Sequence, residues 1–169
     1  DLDGEADTLQ GYTSLRQGID PEQHLFAAES EEGELVVSKV QQWLASGRLP
    51  EHICVAARTS RAVKQRYQPL LEQAGIPTTI LEGKDQDGHQ AAGVRLGTLH
   101  RLKGLEFPCV LLGSVHDGMV PLKIAVDSAD ASTRKERLLQ ERCLLYVACT
   151  RARDELVISG YGKPSSLLR

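Results

Sequence analysis

The chain has 169 residues, 41% of them hydrophobic, and a formal net charge of −3 at pH 7. This length suits one domain with a single core, and no apolar run approaches the length that a membrane-spanning helix needs. The first residues, DLDGEADTLQ, are acidic and lack the basic-then-apolar layout of a signal peptide. Because the sequence also lacks an initiator Met, we expect a fragment of a longer protein.

The distribution of charge and the spacing of the cysteines indicate which kinds of binding site the protein can have. Residues 1–94 carry 8 basic and 15 acidic side chains, whereas residues 95–169 carry 12 basic and 8 acidic ones. A local basic surface is therefore compatible with the acidic total. The cysteines form no CxxC pair, which argues against zinc and redox sites and predicts reduced, packed thiols in a cytoplasmic protein. They are Cys54, Cys109, Cys143 and Cys149.

The predicted elements alternate between helices and short apolar strands. Residues 1–23 show little periodicity and are predicted to be a linker or irregular segment, followed by the domain at 24–169. A short edge strand is expected from Leu25 to Ala27, and a helix is expected to begin at Ser30 and end at Gly47. Between and after them we predict helices at 60–73 and 133–149 and an exposed loop at 82–93. Further strands are predicted at 53–59, 76–81, 94–100, 108–115 and 155–159.

Strands that alternate with helices predict an α/β fold, with a mostly parallel sheet and helices on both faces. In such sheets, ligands bind at the loops beyond the carboxyl ends of the strands. Three polar clusters are expected at such ends: Arg58-Thr59, residues 98–106 and residues 150–153.

The segment GTLHRLKGLEFPCVLL (97–112) places compact polar residues between two predicted strands. Gly104 permits a positive φ or a close approach of the backbone. A hydroxyl, an imidazole and two cations suit phosphates, and a carboxylate can accept a hydrogen bond from a sugar hydroxyl. The alternative is a loop of solvated charges. The polar side chains are Thr98, His100, Arg101, Lys103 and Glu106.

A second polar cluster lies in LLYVACTRARDEL (144–156), where Arg151 and Arg153 follow an apolar helical run. A charge at the inner end of a buried helix is costly unless an anionic group lies opposite. The alternative is a helix-terminal arginine that interacts with the helix dipole and with Asp154 or Glu155.

Two motifs carry a resemblance to superfamily 1 helicases of the UvrD/Rep type. TLHRLKGLEF (98–107) resembles their motif V, TxHxxKGLEF, and ERCLLYVACTRARDEL (141–156) resembles their motif VI, YVAxTRAxxxL. ICVAARTSRAVKQRYQPLLEQAGIP (53–77) and HDGMVP (116–121) are similar to further family segments. The order and separation of the motifs also match, and the resemblance covers about residues 35 to 160.

This resemblance implies the second, RecA-like lobe of a two-lobed DNA motor. ATP would bind between the lobes with Mg²⁺ held by the N-terminal lobe, and single-stranded DNA would cross both, with movement expected from 3′ to 5′. The sequence contains no GxxxxGK[ST] phosphate loop and no NYRS-type segment, so we expect no ATP hydrolysis by this chain alone. Only residues 78–97 fill the interval in which many relatives carry an accessory insertion, which makes translocation a safer expectation than unwinding.

The resemblance also implies roles for individual residues. Arg151 would be an arginine finger that reaches the γ-phosphate, and Glu106 would accept a hydrogen bond from the ribose. Lys103 and Gly104 would line the same cleft. Contacts to the nucleic-acid backbone are expected from Arg58, Thr59, Thr98 and His100.

The charged residues near these motifs are expected to have structural or solvent-exposed roles rather than ligand contacts. Glu141 and Arg142 are interpreted as structural partners on the motif VI helix. A solvated helix face is expected for Arg61, Lys64 and Arg66.

Two rival functions differ in class. The first is a non-catalytic nucleic-acid-binding or interaction module that retains the helicase fold. The second is a flavodoxin-like binder of small molecules, which requires a glycine-rich loop after the first strand. AARTSRAV (56–63) offers no such loop.

Overall fold

The computed structural model describes residues 19–81, 92–127 and 130–168. Within these ranges six strands form one sheet in the order β1-β6-β5-β2-β4-β3, and all neighbouring strands run parallel. The prediction of an α/β fold with a mostly parallel sheet is therefore confirmed. The strands are β1 (Glu22–Phe26), β2 (Ile53–Ala57), β3 (Thr78–Ile80), β4 (Val94–Thr98), β5 (Phe107–Leu112) and β6 (Ala152–Tyr161).

Helices connect these strands. The region predicted as one helix at 60–73 is helical throughout, but a π-helical turn separates two short α-helices. Pro69 follows this turn and cannot donate the backbone hydrogen bond of a regular helix. No helix in the described ranges is long and apolar enough to cross a membrane. The helices are α1 (Glu29–Ala45), α2 (Ser60–Ala62), the π-helical turn (Val63–Tyr67), α3 (Gln68–Gln73), α4 (Lys123–Val126) and α5 (Ala131–Cys149), with a 3₁₀ turn at Pro50–His52.

All six strands have bounds that differ from the prediction, and the differences in β1 and β6 concern the edge of the sheet. The edge strand β1 pairs with β6 and covers Glu22–Phe26 rather than Leu25 to Ala27, so it begins before the predicted domain boundary at residue 24. The last strand, β6, has 10 residues rather than the five predicted. Its polar start was not recognised as a strand, yet Ala152 and Glu155 pair with β5.

Helix α5 begins two residues earlier than the sequence predicts. α5 begins at Ala131 rather than Thr133, because the Asp130 side chain accepts a hydrogen bond of 2.7 Å from the Thr133 N–H and caps the helix. Residues 1–18 and 82–91 lie outside the described residues. They contain most of the predicted linker at 1–23 and of the predicted loop at 82–93, which stay predictions.

The sheet separates two apolar cores. Alternate residues of β2 point to opposite faces, since Val55 belongs to one core and Cys54 to the other. α1, the π-helical turn and α3 cover the first face, and α5 covers the second together with the segment after β4. Coverage of both faces, as predicted, is confirmed. The principal helical side chains in these cores are Val36, Val40, Trp43, Tyr67 and Leu71 on the first face and Leu145 and Ala148 on the second.

The thiols are free, as predicted, but they are not all packed. Cys54 and Cys109 are buried, whereas Cys143 is exposed on α5. Burial raises the pKa of the Cys109 thiol to about 11, so this thiol stays protonated at neutral pH.

A buried carboxylate organises the first face at the carboxyl end of β5. Glu32 of α1 is fully buried and accepts hydrogen bonds from the Ser114 N–H (2.7 Å), the Ser159 hydroxyl (2.8 Å) and the Tyr67 hydroxyl (3.0 Å). The guanidinium of Arg66 completes this shell with an ion pair. The expectation of a solvated Arg66 is therefore wrong, because the buried Glu32 carboxylate requires a cationic partner.

Two glycine substitutions test the packing described above. A Cβ atom on Gly160 in β6 would lie 2.5 Å from the Val115 carbonyl oxygen, whereas one on Gly33 in α1 would lie 3.4 Å from Leu70 Cδ2. We expect Gly160→Ala to lower the free energy of unfolding by about 1–3 kcal/mol. Gly33→Ala serves as the control and should raise it by about 0.5–1 kcal/mol. Urea denaturation of the chain measures both, and a Gly160→Ala variant as stable as the parent would contradict this packing.

Candidate nucleotide and nucleic-acid sites

The candidate residues lie at opposite ends of the parallel strands. We call the side on which the strands end the carboxyl edge of the sheet and the side on which they begin the amino edge. Thr98 ends β4 and Arg58 directly follows β2, so both lie at the carboxyl edge. Glu106 directly precedes β5 and Arg151 directly precedes β6, so both lie at the amino edge. The expectation that all three polar clusters follow carboxyl ends is therefore wrong for the third cluster and for the end of the second.

The connection between β4 and β5 explains this separation. Two strands that run parallel need a connection that returns from the carboxyl edge to the amino edge. Residues 99–106 make this return without a long helix, and Leu99 and Leu102 are buried on the same face of the sheet as α5. One short motif therefore presents His100 near one edge and Glu106 at the other.

Backbone hydrogen bonds fix the geometry of the carboxyl edge. Thr98 is paired with Ala57 in the sheet, and the Leu99 N–H donates to the Ala57 carbonyl over 2.9 Å. The Arg101 N–H then donates to the Thr98 carbonyl over 2.8 Å, which closes a tight turn. The residues after β2 and those after β4 are thereby held side by side.

Arg58 is engaged in an ion pair within the protein. Its Nε and Nη2 atoms donate to the two carboxylate oxygens of Glu141 on α5, over 2.9 Å and 2.6 Å. The side chains of Arg58 and Glu141 are only 12% and 8% exposed. The structural role expected of Glu141 is confirmed, but its partner is Arg58, whereas Arg142 is exposed. Direct contact between Arg58 and nucleic acid stays a prediction, with a carboxylate already bound to this guanidinium.

Glu141 accepts one more hydrogen bond, from the Leu122 N–H over 3.1 Å. Burial alone raises the pKa of the Glu141 carboxyl, but the hydrogen bonds from Arg58 and Leu122 outweigh burial and lower the pKa below its usual value. The pair is therefore ionised at neutral pH.

Thr59 and His100 have different local roles. The Thr59 hydroxyl oxygen accepts a hydrogen bond of 3.2 Å from the Ala62 N–H and caps α2. His100 is an exposed side chain, yet partial burial and the nearby positive charge of Arg58 lower its pKa below 6.5. His100 is therefore neutral at pH 7, and its imidazole can both donate and accept hydrogen bonds.

A groove of about 460 Å³ opens beside Thr98 at this edge. The groove is also lined by Ser60, Lys64 and Arg101, which were not among the residues predicted to contact nucleic acid. The side chains of Lys64 and Arg101 are exposed. Sequence reasoning assigned Lys64 to a solvated face. The spacing of Ser60 and Lys64, four residues apart on one helix face, could have indicated their shared direction.

At the amino edge, Arg151 joins the end of α5 to the start of β5. Its Nε donates to the Val147 carbonyl (3.1 Å) and its Nη1 to the Leu105 carbonyl (3.4 Å). Its own carbonyl accepts a hydrogen bond of 3.0 Å from the Phe107 N–H. The guanidinium is half-buried and oriented by neutral acceptors.

Arg151 has no carboxylate partner among residues 19–81, 92–127 and 130–168. Asp154 instead pairs with Arg48 over 2.9 Å and with Arg153 over 3.0 Å. Glu155 accepts a hydrogen bond of 2.8 Å from the Trp43 indole. Neither Asp154 nor Glu155 is observed as a partner of Arg151, whose charge has no ionic counterpart in the described part of the chain. The hydrogen bond to the Val147 carbonyl is nevertheless a contact with the last turn of α5, as the helix-terminal alternative predicts.

The remaining candidates flank this edge on the return segment. Gly104 has φ +86°, which is one of the two features that its residue type permits. Lys103 and Glu106 are exposed. Glu106 lines a pocket of about 380 Å³ that also contains His52 and Arg95.

The protonation state of His100 can be measured directly. We expect NMR titration of its imidazole to give a pKa below 6.5, because partial burial and the Arg58 charge disfavour protonation. The unfolded chain would protonate nearer 6.5, so the stability linked to His100 is lost as the pH falls below that value. Glu141→Gln removes a charge that raises this pKa and should lower it further. A value at or above 6.5 in the parent chain would contradict the geometry of the carboxyl edge.

Comparisons with known proteins place the chain in a family. A sequence model described as the UvrD-like helicase C-terminal domain matches residues 78–163, just over half of the chain. The chain is 45% identical over 71 residues to ATP-dependent DNA helicase UvrD1 of Mycobacterium tuberculosis, a match that covers 42% of this chain and 8% of that protein. It is 38% identical over 88 residues to DNA helicase II of Escherichia coli, covering 52% and 11%.

A solved structure shows the same fold. The C-terminal domain of a possible DNA helicase from Lactobacillus plantarum WCFS1 superposes with a TM-score of 0.66 and 22% identity, covering 90% of this chain and 80% of that one. At this identity the likeness establishes the fold alone, and the sequence matches span only about a tenth of the full length of the two named helicases. On the family match, this chain belongs to the UvrD-like helicase C-terminal domain family.

Proposed function

We propose that this chain is the C-terminal motor lobe of an ATP-dependent DNA helicase or translocase that moves from 3′ to 5′. In this proposal it binds single-stranded DNA and completes an ATP site with an N-terminal RecA-like lobe of the same protein. The observation that carries the proposal is the half-buried Arg151, a cation without a carboxylate partner in the described part of the chain, at the edge opposite the basic groove. Family membership supports it independently.

Chemistry at the carboxyl edge suits the backbone of a DNA strand. The groove combines the cations Lys64 and Arg101 with the hydroxyls of Ser60 and Thr98. Cations and hydroxyls bind phosphates without reading base sequence, as a motor that moves along any sequence requires. The neutral His100 beside Thr98 can donate a hydrogen bond to a phosphate oxygen without carrying a charge of its own.

Residues at the amino edge fit a nucleotide. The guanidinium of Arg151 is already oriented by two carbonyl oxygens, so little conformational freedom is lost when it meets a phosphate. The exposed carboxylate of Glu106 can accept a hydrogen bond from a ribose hydroxyl, and Lys103 and Gly104 precede it on the same turn. These residues are therefore suited to the ATP contacts predicted for them.

ATP bound with Mg²⁺ would supply the phosphoryl group whose hydrolysis drives movement. In this proposal Arg151 donates hydrogen bonds to the charge that develops on that group, and arginine fingers of this kind raise the rate by about 10³–10⁵ in GTPases. We assign the Mg²⁺ ligands and the phosphate loop to the N-terminal lobe, so this chain by itself is proposed to be inactive. Closure of the two lobes would then control hydrolysis.

Replacement of Arg151 tests the proposal in the full-length protein. We expect Arg151→Ala to lower DNA-stimulated ATP turnover at least about a hundredfold while ATP binding persists, because the finger acts mainly in the transition state. Arg137→Ala is a matched control, since Arg137 is an exposed arginine on the same helix, far from the amino edge. It should retain parental turnover.

Two results would contradict the motor proposal. Turnover that is unchanged in Arg151→Ala would make Arg151 a structural residue. A parent protein that binds single-stranded DNA but hydrolyses no ATP would favour the alternative, a non-catalytic nucleic-acid-binding module.

A further inference from the structure

Helix α5 spans the distance between the two edges of the sheet. Its buried residues begin with Glu141 near the carboxyl edge, and the helix ends at Cys149, eight residues or about 12 Å further on. Arg151 follows at the amino edge, where its carbonyl is bonded to the start of β5. A displacement of Glu141 along the helix axis would therefore be transmitted to Arg151 by one rigid element.

Few side chains fix α5 to the sheet. Of its 19 residues, only Glu141, Leu145 and Ala148 are buried. Leu145 and Ala148, together with the partly buried Leu144 and Cys149, provide apolar contacts, which are not directional. Glu141 is the directional contact, since its carboxylate accepts hydrogen bonds from two nitrogens of Arg58 and from the Leu122 N–H. The ion pair thus sets the position and rotation of α5.

The other end of the ion pair lies beside the groove. Arg58 follows Ala57, and the Ala57 carbonyl accepts the hydrogen bond from the Leu99 N–H. Ala57 is also the sheet partner of Thr98. A ligand that displaces the turn at residues 98–100 therefore also displaces the backbone at Arg58.

A buried ion pair contributes little net free energy to the attachment of a helix. Removal of two charges from water often costs as much as their attraction returns, and an apolar pair of similar volume can stabilise a fold equally well. The gain from an ion pair is geometric, because the planar guanidinium donates to a carboxylate through a rigid fork of N–H groups. At a site between two functional edges, such geometric control has a use that stability alone does not require.

We propose that the Arg58–Glu141 ion pair is a positioning contact. It couples the binding of single-stranded DNA at the carboxyl edge to the placement of Arg151 at the amino edge. This inference rests on the proposed function. In thermodynamic terms, nucleotide changes the affinity for single-stranded DNA by a certain factor, and DNA changes the affinity for nucleotide by the same factor. The ion pair carries that factor, while each ligand keeps its own contacts.

The experiment measures this coupling factor in the full-length protein. The affinity for a fluorescent oligothymidylate is determined with and without a non-hydrolysable ATP analogue. We expect the parent protein to show a factor of about 5–150. Glu141→Gln keeps the size of the side chain but removes its charge, and it should bring the factor to within about twofold of unity. Its affinity for the nucleotide analogue alone should stay close to the parental value, a result that a general loss of folding would not produce.

Controls make each outcome decisive. Glu136→Gln removes an exposed carboxylate from the same helix and should keep the parental factor. Glu141→Asp keeps the charge with a shorter reach and should give an intermediate factor. It replaces Glu141→Gln as the test variant if that protein does not fold. A parental factor in a folded Glu141→Gln or Glu141→Asp variant would overturn the inference. A parent protein with no coupling would overturn the proposed function as well.

Discussion

Because all six strands run parallel, every connection between them has to travel from one edge of the sheet to the other. This constraint shapes the candidate sites. The segment from Thr98 to Glu106 contributes polar groups to both edges within a few residues, since Leu99 and Leu102 bury its apolar side against the sheet as it crosses. α5 crosses the same face and delivers Arg151 to the amino edge. Both helicase-like motifs are thus crossing elements, so a small domain presents polar groups at both edges of its sheet.

Charges buried between elements give these crossings their alignment. Glu32 ties α1 to the residues after β5 and to β6, and the Arg58–Glu141 pair ties α5 to the end of β2. In each case a carboxylate on a helix receives several donors from the carboxyl side of the sheet. Such contacts are more directional than the apolar packing around them. Each face of the sheet therefore has a buried carboxylate that fixes a helix.

The sequence predicted the order of elements well because apolar runs and glycine signals are local. Gly104, for example, adopts the positive φ that its residue type permits. Pairing between distant charges was not predictable in the same way. Arg58 and Glu141 are 83 positions apart, and nothing local distinguishes Glu141 from the solvated charges around it. The assignment of Glu106 and Arg151 to carboxyl ends failed because a general rule about α/β sheets was applied to residues that precede strands. The motif resemblance located the candidate residues, but only the fold showed which edge each one occupies.

In the proposed function, single-stranded DNA and nucleotide bind at opposite edges of this sheet. Hydrogen–deuterium exchange on the full-length protein tests it most directly, since each ligand protects the backbone amides near its site. Single-stranded DNA should protect residues 98–101, and a non-hydrolysable ATP analogue should protect residues 104–106 and 150–152. Protection of the same edge by both ligands, or protection with the two edges exchanged, would contradict the account.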